Sequence, residues 1–316
     1  MRLFQKLKKV DGCRAISFQD TSVCAVHVRH VPSTKPQVTQ ALLAPTGGTT
    51  EAAILGKLSQ EWQGERYQCS TLLAAGEYQF LPVEAPQVPA AELKSAISWL
   101  VKDMLDFHVD HATIDVLNIP PEKNAPQRSR SLYAVAARSR VIEERQHQFE
   151  DAKIALRVID IPEMAQRNIA ALLEQEGRGL ALLSFDERGG LLTITAGGEL
   201  YVARRIEATH AQVLHPDAER KSMAHERVAL EIQRSLDHFG RQYPSIALPK
   251  LVLAPMGDDD GDLQACLAEN LDTQVEALDL AEVLDISATP DLKRLDRQRH
   301  YFQALGAALR VEEKTL

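Results

Sequence analysis

The residues best suited to chemistry in this 316-residue sequence are acidic side chains in a loop spanning residues 257–262. The spacing of calcium ligands at positions one, three, five and twelve of an EF-hand loop is met by Asp258, Asp260, Asp262 and Glu269. Position six of such a loop requires glycine for its sharp turn, whereas this sequence has Leu263 there. Carboxylates just before a helix are also stabilised by the helix dipole without any metal. We therefore predict no metal site at this loop.

Other patterns that accompany catalysis are weak or missing. His108 and His111 are three residues apart, but no third ligand lies nearby in the sequence, so we interpret them as a solvated pair rather than a zinc site. The sequence contains no GxxxxGK[ST], GxGxxG, HExxH or GxSxG motif. No catalytic residue is predicted.

Residues 13–30, CRAISFQDTSVCAVHVRH, predict two β-strands joined by the polar turn Gln19-Asp20-Thr21-Ser22, because β-formers dominate both arms. A tight turn between two strands can hold the phosphates of a nucleotide when glycine lets the backbone approach them. This turn contains no glycine. The hairpin is thus either a working phosphate loop or only its scaffold.

Composition limits the class of protein. The 36 basic and 44 acidic residues leave a net charge of -8, which repels phosphate backbones and disfavours a nucleic-acid partner. The four cysteines are scattered without a CxxC pair, as is typical of the reducing cytoplasm. No apolar run approaches the roughly 20 residues that span a bilayer, and the charged N-terminus lacks the apolar stretch of a signal peptide. We expect a cytoplasmic protein.

The N-terminal residues 1–12 form a basic amphipathic pattern. Leu3, Phe4, Leu7 and Val10 share one helical face, with lysine and arginine around them. An isolated helix this short is marginal in water. A solvated tail is favoured over a membrane-touching helix.

The order of predicted elements indicates a duplicated architecture. A three-stranded meander followed by a helix opens the chain, and a second meander begins near residue 179, followed by a long helix. A smaller α+β unit separates them. We predict an α/β fold with two similar lobes and an inserted subdomain, which excludes a simple Rossmann or barrel fold. The predicted segments are a tail (1–12), lobe 1 (13–83), the inserted subdomain (84–161), lobe 2 (162–291) and a C-terminal helix and tail returning to lobe 1 (292–316).

A helix is predicted over residues 90–106. Its apolar stripe comprises Leu93, Ile97, Leu100, Val101 and Met104. Trp99 lies off this stripe, so it either covers a neighbouring domain or is an exposed anchor for a partner. The intramolecular role is favoured.

Sequence segments along nearly the whole chain resemble the PilM and MshI family of type IV pilus assembly proteins, which share the actin-like fold of the cell-division protein FtsA. The segment around Trp99 is the most specific match, and it resembles MshI more closely than PilM. The matching phrases are SVCAVHV (22–28), PAAELKSAISWLVKDMLDFHVDHATIDV (89–116), YAVAARSRV (133–141), ALRVIDIPEMAQRNI (155–169), and ELYVARRI with the following helix (199–243).

Nucleotide-binding members of this family carry three glycine-containing loops, and the resemblance places each on this chain. In the first loop, the family's aspartate, glycine and lysine become Ser17, Gln19 and Cys24. In the second loop, its aspartate and glycine become Ser184 and Asp186.

In the third loop, the family's glycine pair becomes Pro255 and Met256, and an acidic run follows. Loss of glycine, of the aspartate on the metal side and of lysine removes phosphate and cation binding, while added aspartates repel a triphosphate. The resemblance therefore implies an actin-like fold with degraded nucleotide loops and no cofactor.

The resemblance implies a non-catalytic cytoplasmic scaffold, peripheral to the inner membrane, in an MSHA-like type IV pilus assembly machine. Its implied partner is the cytoplasmic N-terminal peptide of a PilN- or MshJ-like inner-membrane protein, held between lobe 1 and the inserted unit. Trp99 and Asp103 are the predicted partner-binding residues. The alternatives are an ATP-binding actin-like switch or weak ATPase, with Mg-ATP as cofactor, and a GspL-like component of type II secretion.

Overall fold

The first half of the chain begins with the predicted hairpin and continues with strands and helices in alternation. The structure is a computed structural model that describes residues 12–31, 33–62, 67–122, 130–257 and 261–311, so residues 1–11 of the predicted basic tail lie outside it. The elements are β1 (Cys13–Gln19), β2 (Ser22–Arg29), β3 (Gln37–Pro45), α1 (Glu51–Trp62), β4 (Cys69–Leu72), β5 (Tyr78–Glu84), α2 (Leu93–Val101), β6 (Ala112–Asn118), β7 (Ser131–Arg138), α3 (Ser139–Asp151) and β8 (Leu156–Asp160).

The elements of the second half of the chain are α4 (Pro162–Ala170), β9 (Gly179–Asp186), β10 (Gly189–Ala196), β11 (Glu199–Ile206), α5 (His210–Val213), α6 (Ala218–Gln242), β12 (Lys250–Leu253), α7 (Gly261–Asn270), β13 (Gln274–Ala277) and α8 (Leu295–Ala308). From β9 onward, this half repeats the order of strands and helices from β1 to α4, apart from β5, α2, β6 and β7, which its described residues lack, and the short helix α5, which it adds. The short helix α5 was not predicted; it begins with a capping box between Thr209 and Gln212.

Two five-stranded sheets have the same topology. Their strand orders are β3-β2-β1-β4-β8 and β11-β10-β9-β12-β13. In each, three antiparallel strands are followed by two parallel ones. The strands β2 and β9 are buried along nearly their whole length, as expected for central strands covered on both faces. The duplicated α/β architecture is confirmed.

A third, smaller sheet has the order β5-β7-β6 and is antiparallel throughout. Its composition corrects the predicted strand allocation. Strand β5, which we had placed in lobe 1, pairs with β7, whereas β8, which we had placed in the inserted subdomain, pairs with β4. Strand partners are set by long-range contacts, which hydrophobic periodicity does not encode.

The main core lies between the two large sheets, where α8 packs on the first sheet, α4 packs on the second, and the two helices pack against each other. It contains Cys24 and Val26 from the first sheet and Leu182 and Val252 from the second. The pairing of α4 with α8 therefore connects the two halves of the fold.

Helix α2 is shorter than predicted and its apolar stripe is narrower. Ile97 and Val101 are buried against the small sheet, but Leu100 and Met104 are exposed. Trp99 is 72% exposed, and its ring lies 5.3 Å from the Lys102 ammonium group. The expectation that Trp99 covers a neighbouring domain is therefore wrong in the described structure.

Candidate functional site

The two large sheets face each other across a cleft, which the tips of two hairpins enter. Five of the seven predicted loop residues line it: Ser17, Gln19, Ser184, Asp186 and Pro255. The similar position of the β1–β2 and β9–β10 turns in the two sheets brings these residues together from opposite halves of the chain.

The other two predicted positions lie in the core. Cys24 is fully buried between the sheets, and burial raises the pKa of its thiol well above the ordinary value. Met256 is also buried, and its carbonyl group contacts the ring of His210 at 2.8 Å. Neither side chain faces the cleft, so a core position, rather than a lost ligand, explains its identity.

Hydrogen bonds and ion pairs cross the cleft. The Arg188 guanidinium donates to the carbonyl of Ala75 and to Asp20 Oδ1, the latter at 3.2 Å. Glu187 pairs with Arg299 at 3.0 Å. The turns of both hairpins are thus tied to the opposite half of the molecule or to α8.

Gln19 makes a further cross-link to α8, since its Nε2 donates to the carbonyl of His300 at 2.6 Å. Burial of the His300 ring, followed by the neighbouring charge of Arg299, lowers the pKa of this histidine. The ring therefore favours its neutral form in the cleft. The side chains that line the cleft enclose a cavity of about 120 Å³.

A larger groove lies elsewhere, between the first sheet and the small sheet. Its volume is about 580 Å³. Four consecutive residues of β8, 156–159, line it, which indicates that the free edge of this outermost strand faces the groove. The small sheet contributes one face, through alternate residues of β6 and β7.

The groove combines an apolar interior with polar groups. Its apolar side chains include Leu73, Val135, Ile142, Ile159 and Ile161. Charged groups are supplied by Asp115, Glu150 and Arg157. Such a lining fits an extended chain with alternating apolar side chains.

Trp99 and Asp103 do not line this groove. Helix α2 packs on the face of the small sheet that carries Leu132 and Ala134, whereas Val135 and Ala137 on the opposite face line the groove. Asp103 lies in the turn after α2, because the helix ends at Val101. The structure therefore contains two separate candidate surfaces.

A buried polar cluster joins the small sheet to the second large sheet. Tyr78 Oη donates to Glu163 Oε2 at 2.5 Å, and Arg205 Nη2 donates to both Tyr78 Oη and Glu163 Oε1, at 2.8 and 3.2 Å. Burial and the adjacent Glu163 charge raise the pKa of Tyr78 well above its ordinary value. This cluster fixes β5, α4 and β11 relative to one another.

Comparison with known proteins identifies the fold. No protein-family model matches the chain, and no curated protein does. Among solved structures, it is similar to the PilM-PilN type IV pilus biogenesis complex, with 18% identity, a TM-score of 0.70, and 95% of this chain and 98% of that chain covered. It is also similar to a Bacteroides thetaiotaomicron protein with an actin-like ATPase fold and unknown function, with 11% identity, a TM-score of 0.51, and coverage of 92% and 98%.

The chain has an actin-like fold. Because both identities are low, the likeness establishes the architecture alone.

An actin-like ATPase fold implies Mg-ATP, and the residues of this cleft do not fit it. The cavity of about 120 Å³ is less than half of the roughly 300 Å³ at which ligand pockets begin. The first hairpin turn has no glycine, and the two arginines at the cleft are already paired with Asp20 and Glu187. Asp186 adds a further negative charge beside them.

The predicted acidic loop falls partly outside the described residues, including Asp258 and Asp260. Asp262 forms an ion pair with Lys221 at 2.5 Å. Within the described ranges, no three histidine, cysteine or acidic side chains are arranged to hold a metal ion. In the same ranges, no helix combines the length and apolar character needed to cross a bilayer.

Sequence reasoning missed Arg188, Glu187 and Arg299, the charged residues that close the actin-like cleft. A weak signal was present, since Glu187 and Arg188 directly precede Gly189-Gly190, a pair that is typical of turns. Their partners are 112 and 168 residues away in the chain, so no local pattern connects them.

Proposed function

We propose that this protein is a non-catalytic scaffold of an MSHA-like type IV pilus assembly machine. It docks the cytoplasmic N-terminal peptide of a PilN- or MshJ-like inner-membrane protein and is held at the inner membrane, on the cytoplasmic side, by that partner. The observation that carries the proposal is the groove of about 580 Å³ between the first sheet and the small sheet. The fold similarity to the PilM-PilN complex supports it.

The chemistry of the groove suits an extended peptide. The free edge of β8 offers backbone donors and acceptors for strand addition, while the apolar interior accepts alternate side chains of the peptide. Asp115 is paired with Lys94 at 2.7 Å, and Arg157 lines the groove together with Glu150, so these charges favour no particular charge on the peptide.

Replacing Ile142 with glutamate is expected to weaken binding of that peptide at least tenfold, because a buried charge would replace apolar surface in the groove. Fluorescence anisotropy with a labelled synthetic peptide, taken from the N-terminus of a PilN-like inner-membrane protein of the same organism, measures the affinity. The matched control is Leu230→Glu, which introduces the same charge at an exposed apolar position of α6. Equal affinities of the two variants would contradict the groove assignment.

Trp99 and Asp103 form the second proposed contact, on the outer side of the small sheet. Trp99 is 72% exposed, and tryptophan is enriched among the residues that dominate binding energy at protein interfaces. The variant Trp99→Ala in the same anisotropy series, and in co-purification with the full-length partner, separates the two surfaces. Unchanged binding in both measurements would show that Trp99 is not a partner-binding residue.

The second candidate function is an ATP-binding switch or weak ATPase, which the actin-like ATPase fold favours. The small, charge-paired cleft leads us to expect no heat on titration with Mg-ATP at millimolar concentration. Isothermal titration calorimetry checks this, with a thermal-shift assay as an independent readout. Micromolar binding would contradict the scaffold proposal.

A further inference from the structure

Arg188 occupies an unusual position at the tip of the β9–β10 hairpin. The turn itself is held by Asp186, whose Oδ1 accepts from the backbone N–H groups of Arg188 and Gly189 at 2.8 and 2.9 Å. From this fixed base the guanidinium donates one hydrogen bond to the Ala75 carbonyl and another to Asp20. One side chain from the second half of the chain therefore holds two separate segments of the first half, the β1–β2 turn and the segment after β4.

Ala75 belongs to the segment 73–75, which separates the cleft from the peptide groove. Leu73 and Ala74 line the cleft, and Leu73 also lines the groove. The Leu73 N–H donates to the Asp160 carbonyl at 2.9 Å, and the Ala74 N–H donates to Glu77 Oε2 at 2.7 Å. The segment is thus held at one end by the Asp160 carbonyl at the end of β8 and at the other by Arg188.

We propose that Arg188 is a positioning residue for the peptide groove. It straps the two halves of the molecule together across the cleft, and through the Ala75 carbonyl it fixes the wall that Leu73 gives to the groove. The effect on peptide binding rests on the proposed function of the groove, whereas the strap across the cleft does not.

A lysine at this position could not replace arginine fully. The guanidinium uses two nitrogens, Nη1 for Ala75 and Nη2 for Asp20, in a planar fork. A lysine ammonium group is a single point charge on a flexible stem, so it can reach one acceptor well but not both in the same geometry. Partial rescue by lysine is therefore the signature of a bridging role.

Hydrogen–deuterium exchange with mass spectrometry tests the strap on the full chain. In Arg188→Ala, amides of residues 72–76 and of the first hairpin turn are expected to exchange about tenfold faster, since a charge-assisted hydrogen bond that closes the cleft is lost. Arg188→Lys should give intermediate exchange rates, and Asp20→Asn should speed up exchange of the amides in the first hairpin turn. Arg227→Ala, at an exposed arginine of α6, is the matched control. Unchanged exchange at residues 72–76 in Arg188→Ala overturns the proposal.

The labelled PilN-like peptide tests the second half of the proposal. Arg188→Ala is expected to bind it about tenfold more weakly, with Arg188→Lys between it and the wild type and Arg227→Ala unchanged. If exchange accelerates but the affinity stays the same, the link to the groove is wrong. If the wild type itself does not bind the peptide, the proposed function fails, while faster exchange in Arg188→Ala still supports the strap.

Discussion

Replacing Arg205 with leucine is expected to lower the free energy of unfolding by about 3 kcal/mol, near the lower end of the range for breaking a buried ion pair. Glu163, its partner, is only 2% exposed and would retain a hydrogen bond from Tyr78 but lose its counter-ion. The arginine itself reaches solvent, which is why we expect the lower end of the range. Urea unfolding followed by circular dichroism measures the change.

Two further variants make this result specific. Arg227→Leu removes an exposed arginine of α6 and is expected to change stability by no more than about 0.5 kcal/mol. The double variant Arg205→Leu/Glu163→Gln removes both charges, and the amide oxygen introduced at position 163 can still accept from Tyr78. It should therefore recover more than half of the lost free energy of unfolding. A double variant as unstable as the single one would show that packing, rather than the unpaired carboxylate, dominates.

Gly306→Ala is expected to destabilise the protein by about 2 kcal/mol or more, a value within the range for overpacking of a close contact. A Cβ at this position of α8 would overlap the backbone carbonyl of Ala165 in α4, which is not free to move as a flexible side chain would be. Asn168 Nδ2 also donates to the Gly306 carbonyl at 2.9 Å, so separating the helices would stretch this bond. The measurement is again urea unfolding.

The matched control has the opposite expected sign. Gly240 is also within a helix, α6, but a Cβ there meets no atom within 4 Å. Gly240→Ala should therefore stabilise the protein by about 0.5–1 kcal/mol, because alanine is the better helix former. If the two substitutions had the same effect, the close approach of α4 and α8 would not be what requires glycine at position 306.

Local structure was predictable where a segment's own pattern determined it. The hairpin predicted over residues 13–30 and the second meander predicted from about residue 179 both form there, because β-forming residues dominate these segments. Helix α2 ended earlier than its pattern suggested, and Leu100 and Met104, which the pattern places on the apolar stripe, are exposed. Periodicity indicates which side chains could be buried, but not how much surface is available to bury them.

The sequence by itself determined the duplicated actin-like α/β architecture and the loss of glycine from the first hairpin turn. Only the tertiary structure decided which residues close the cleft. Arg188 binds Ala75 and Asp20, which are 113 and 168 residues away in the chain. The tertiary structure also placed Cys24 and Met256 in the core, moved β5 and β8 to different sheets, and revealed the groove beside β8. The physical reason is common to all of these: burial, strand pairing and ion pairing between distant segments depend on packing that no local pattern contains.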